Sequence, residues 1–64
     1  MTQILQVLIH GEVAEALWHK SQAGEWMCLN AWNAIKWMEG MKDPGLVKQE
    51  LKRRKLTWHW NNPK

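Results

Sequence analysis

Apolar residues along this chain fall in stretches divided by glycine or short polar breaks, and their spacing is closer to that of helices than of strands. In the first stretch Ile4, Leu5, Val7, Leu8 and Ile9 fail strict alternation, whereas Ile4, Leu5, Leu8 and Ile9 recur at helical intervals. A helix with Thr2 as N-cap is the expectation, and the β-branched residues keep a short strand as the alternative. Val13, Ala14, Leu17 and Trp18 continue a helical pattern to Lys20, with Gly11 as a kink or break between the halves.

Ser21, Gln22, Ala23 and Gly24 form a polar connection, and a central helix is expected from Glu25 to a stop at Gly40, where a left-handed C′ residue belongs. On that helix Met27, Ala31, Ala34, Ile35 and Met38 share the core side, with Cys28 at its margin. Asp43, Pro44 and Gly45 read as N-cap, first and second residues of a third helix reaching Leu56. Residues 57–64 are expected to be a tail. Within it Leu56, Trp58 and Trp60 alternate with Thr57 and His59, which would suit a half-buried strand paired with Ile4–Ile9.

These elements predict one all-α domain over residues 1–64, a small bundle of three to four short helices containing a helix-turn-helix-like pair. The alternative is a winged-helix-like arrangement in which the two termini supply a short strand pair. A chain of 64 residues builds one modest core, so self-association is an open expectation wherever one copy leaves tryptophan surface uncovered.

Composition sharpens the functional reading. Large apolar area rests on six tryptophans, with no phenylalanine or tyrosine. Trp26, Asn30, Asn33 and Trp37 would form a second stripe on the central helix, in which indoles offer contact area and amides offer hydrogen bonds. Trp58 and Trp60 extend that partner-binding set, and Trp32 is the indole expected to face solvent. The net charge of +3 is local: residues 1–40 hold four acids and two bases, whereas residues 41–64 hold two acids and seven bases. Lys48, Gln49, Lys52 and Arg53 would line the exposed side of the third helix, with Arg54 and Lys55 flanking its apolar seam and Lys55 completing the nucleic-acid-binding set. Those side chains are suited to phosphates and base edges, with duplex nucleic acid favoured over single strands.

The sequence therefore points to a small basic nucleic-acid-binding regulatory protein. The competing class is an accessory or inhibitor that binds a larger host protein through its tryptophan-rich surface. Catalysis, cofactors and metal are not expected, because His10, His19, Cys28 and His59 match no ligand spacing and Cys28 has no nucleophile signature around it. One cysteine permits no internal disulfide, no apolar run spans a bilayer, and no charged leader precedes the first apolar stretch. A cytoplasmic protein is the expectation, with a peripheral membrane role for the basic tail and its terminal tryptophans ranked third.

Overall fold

The computed structural model describes residues 2–61 and contains mostly β structure, which overturns the all-α bundle and its helix-turn-helix-like pair. Strands β1 (Thr2–Ile9), β2 (Glu12–Lys20) and β3 (Trp26–Ala31) are followed by a 3-10 segment (Asn33–Met38), helix α1 (Pro44–Arg53) and strand β4 (Thr57–Asn61). All neighbouring strands are antiparallel in a single sheet of order β3-β2-β1-β4.

The first hairpin replaces the two N-terminal helices. His10 and Gly11 both adopt positive φ, 51° and 79°, as a two-residue hairpin loop matched to strand twist requires. Gly11 is thus the second residue of a reversal rather than a kink. From that loop β1 and β2 pair in register from Ile9↔Glu12 to Thr2↔His19. Strand alternation then sends Leu5, Val7, Ala14, Ala16 and Trp18 to one face, where all are buried. On the opposite face lie Ile4, Gln6, Leu8, Val13, Glu15, Leu17 and His19.

The expected central helix is split between two elements. Residues 26–31 pair with β2 across a bulge: Leu17 faces Asn30 and Trp18 faces Cys28, leaving Leu29 as the additional residue. Cys28 and Ala31 consequently both reach the buried face. Past Trp32 the chain makes two tight turns interrupted at Ile35 (φ −126°, ψ 25°), whose side chain is buried with that of Met38. Of the expected core side, Ala31, Ile35 and Met38 are buried with Cys28, while Met27 and Ala34 face solvent. Gly40 does take the left-handed conformation expected of it, with φ 86°.

Helix α1 starts as its sequence predicts. Gly45 N–H donates to Asp43 Oδ1 at 2.9 Å, and Pro44 occupies the first turn. The helix ends three residues earlier than expected, before Leu56. Leu56 N–H donates to Leu51 O and Lys55 N–H to Lys52 O, both at 3.0 Å, with Lys55 at φ 59°. This is a Schellman closure with lysine where glycine is usual.

Val47 and Leu51 of α1 complete the core beneath which β1 runs between β2 and β4. The first five residues of the expected tail form β4, paired from Ile4↔Asn61 to Leu8↔Thr57; residues 62–64 lie outside the described residues. That terminal pairing is the one the winged-helix-like alternative contained, here set inside a four-stranded sheet with a single α-helix. No helix among the described residues is long and apolar enough to cross a membrane.

The αL position of Lys55 carries a side-chain strain that glycine lacks. Lys55→Gly is expected to stabilise the fold by about 1 kcal/mol, read as a higher urea midpoint at unchanged slope.

Candidate interaction surfaces

Both helical segments pack on the same side of the sheet, so the other face is bare. Its cross-strand neighbours are Ile4 with Leu17 and Leu8 with Val13 on β1 and β2, flanked by Asn61 and Thr57 of β4 and Asn30 of β3. Leu8 and Val13 are each 47% exposed, Leu17 37% and Met27 39%; Trp32, just beyond β3, is 53% exposed. Ile4, Leu17, Asn30 and Trp32 line a shallow depression at one end of this face, and Leu8, Val13, Thr57 and His59 line a second at the other. Between them Gln6 Nε2 donates to Glu15 Oε2 at 3.1 Å, a polar contact set among aliphatic side chains. By strand alternation no lysine or arginine of the four described strands projects from this face; Lys42 borders it beside His19 and Met27. Sequence reasoning missed it because it placed these residues on two helices; the signal available was the two-residue reversal at His10 and Gly11.

The covered side holds most of the tryptophans. Trp18 is fully buried and meets Trp60 edge to face, with ring centroids 6.0 Å apart, and Trp26 lies 5.9 Å from Trp60. Lys20 Nζ sits over Trp26 and Lys48 Nζ over Trp60, each 5.6 Å from the ring centroid. The Arg54 guanidinium lies 4.6 Å above Trp37, whose Nε1 is buried without a protein acceptor.

The expected stripe of Trp26, Asn30, Asn33 and Trp37 is therefore not one surface. Trp26 belongs to the covered face, Asn30 to the bare face, and Asn33 and Trp37 to the 3-10 segment. Trp26, Trp37, Trp58 and Trp60 are each half-buried against the core.

Four of the expected basic-face residues lie on α1 and Lys55 lies in the turn beyond its end. Lys48, Gln49, Lys52, Arg53 and Lys55 are all exposed, but their charges are not equally available. Glu50 accepts from Arg53 through Nε at 3.1 Å and through Nη2, and from Arg54 Nε at 2.6 Å. These guanidinium hydrogen bonds hold the Glu50 carboxyl down at about 2 and raise the Arg53 pKa in return. Gln49 and Arg53 line a recess with Trp37 and Met41, whereas Lys48 and Lys52 follow each other along the helix at an interval of four.

The remaining chemistry is sparse. Cys28 donates its thiol to Asn30 O at 3.6 Å, and burial pushes its pKa up, the opposite of an activated nucleophile. Lys36 holds Glu39 below its ordinary range through a 2.9 Å hydrogen bond. Among the described residues no three histidine, cysteine or acidic groups gather around a metal-sized space. The chain matches no protein-family model, and comparison with curated proteins and with solved structures finds no match.

The Glu50 clamp has a definite pH signature. Its folded value lies below the ordinary 4.5, so its contribution is complete above pH 4.5 and is lost as pH falls through about 2. A carbon-detected NMR titration of the Glu50 carboxyl is expected to show a midpoint near 2. Replacing both arginines with glutamine should return that midpoint to the ordinary range.

Proposed function

We propose that this protein is a binding accessory to a larger protein and docks through the bare sheet face onto an amphipathic helix. One observation carries the reading: the aliphatic cross-strand pairs of β1 and β2 on this face are exposed, and no lysine or arginine of the described strands stands among them. Exposed apolar pairs of this kind, here two patches divided by the Gln6–Glu15 pair, are a common feature of interaction sites. Helix on sheet is also the packing that this sheet already adopts on its other side.

The chemistry of the face describes its occupant. An apolar stripe would lie along Ile4, Leu8, Val13 and Leu17, and a lysine or arginine of the partner would meet the Glu15 carboxylate at the middle. Trp32, at the margin, supplies a large ring for the rim of the contact.

Nucleic-acid binding by α1 is the second reading, favoured by the segregation of charge. The exposed cations Lys48, Lys52 and Lys55 lie on α1 and its C-terminal turn, whereas among the described residues the strands present no lysine or arginine on the bare face. Glu50 already occupies Arg53 and Arg54, which weakens this reading relative to the first.

A single set of variants separates the two. Leu17→Lys is expected to weaken capture of a host protein by roughly tenfold or more, while Lys48→Ala with Lys52→Ala changes it little. Retained capture by Leu17→Lys would exclude the sheet face. Duplex DNA binding whose salt dependence flattens in the double lysine variant would instead favour the second reading.

A further inference from the structure

The sheet has two edges, and they are treated differently. On β3, Cys28 N–H donates to Met41 O at 2.9 Å and Gly40 N–H donates to Cys28 O at 2.8 Å, so the chain following the 3-10 segment closes that edge. The Leu29 bulge further interrupts it. Strand β4 has β1 on one side, and among the described residues its backbone makes no hydrogen bond beyond that ladder. Its five residues, Thr57 to Asn61, contain no lysine, acid, proline or bulge, the devices that commonly keep an edge from pairing with another chain.

We propose that β4 pairs antiparallel with β4 of a second copy, making a symmetric dimer with one continuous sheet. The strand's own sequence selects the occupant. With the two-fold axis at His59, Trp58 of each copy faces Trp60 of the other, and Thr57 faces Asn61. The Trp58 and Trp60 pairs fall on the covered side, where cross-strand aromatic pairs are favourable. On the bare side the two His59 side chains stand opposite each other, next to Gln6 of β1, which holds Glu15. No lysine, arginine or acid of β4 is brought against its own copy. The sheet order becomes β3-β2-β1-β4-β4-β1-β2-β3, both α1 helices lie on one side, and no open strand edge remains between the copies.

This inference concerns the edge rather than the face; because His59 also lines one end of the bare face, Leu17→Lys at the other end distinguishes the two. The axis at His59 gives a charge-exchange test, because a substitution there meets itself. Sedimentation equilibrium of the wild-type chain is expected to give twice the 7.6 kDa chain mass at micromolar to millimolar concentration. His59→Lys and His59→Glu should each weaken self-association by about tenfold through like charges placed opposite each other. Mixing the two variants should restore a dimer containing one of each.

His59 is exposed, so these changes leave the monomer folded, and His59→Thr should remain dimeric as a neutral control. A wild-type monomer at millimolar concentration would overturn the proposal. So would a dimer indifferent to His59→Lys and His59→Glu, or one split by Leu17→Lys, since either places the contact elsewhere.

Discussion

A four-stranded sheet has two faces, and this chain has helical material for only one. Everything distinctive in the structure follows from that shortage. The covered face closes around Trp18, with Leu5 and Val7 beside it and α1 supplying Val47 and Leu51. Small residues let the helical layer sit close: Ala14 and Ala16 on β2, and Ala31 opposite Ala16 on β3, offer almost no side chain to pack around. The other face keeps Leu8, Val13 and Leu17 exposed, and burying them would be a hydrophobic gain still open to the molecule.

Charge is distributed to match. The lysines and arginines of α1 and the turn after it lie on the helix-covered side of the sheet, where Lys48 reaches over Trp60 and Arg54 over Trp37. Glu50 gathers Arg53 and Arg54 into one cluster, and Arg54 in turn covers Trp37. The indoles that looked like a recognition stripe mostly serve as the walls of the core. In the reading proposed here, recognition rests instead on leucine, valine and isoleucine of the bare face, and on a strand edge whose side chains suit a second copy of themselves.

The misreading of this sequence as helical has a physical origin. A strand exposed on both faces to apolar demand does not alternate visibly: β1 carries Leu5 and Val7 inward and Ile4 and Leu8 outward, which together mimic helical intervals. In the middle of the chain the imitation is closer. The bulge at Leu29 brings Cys28 and Ala31 to the same face at an interval of three, and the 3-10 turns then bury Ile35 and Met38 at intervals of four and three. Alanine and glutamate in β2 add helical propensity that the hairpin overrides. Where local stereochemistry decided the outcome, the chain was legible: Asp43, Pro44 and Gly45 start α1 as read, and Gly40 takes its left-handed turn. The strand pairing of the two termini was visible in the alternation of Leu56, Trp58 and Trp60. The bare face was not legible, since it exists only once β1 and β2 are paired.

The two methionines on either side of the bulge test this account most directly. A helix over residues 25–40 puts Met27 and Met38 together in the core, whereas the sheet leaves Met27 39% exposed and Met38 fully buried. Under mild peroxide, peptide mass analysis of the folded protein should show Met27 converting to the sulfoxide well before Met38. Equal protection of both residues would contradict the sheet, its bulge and the bare face that depends on them.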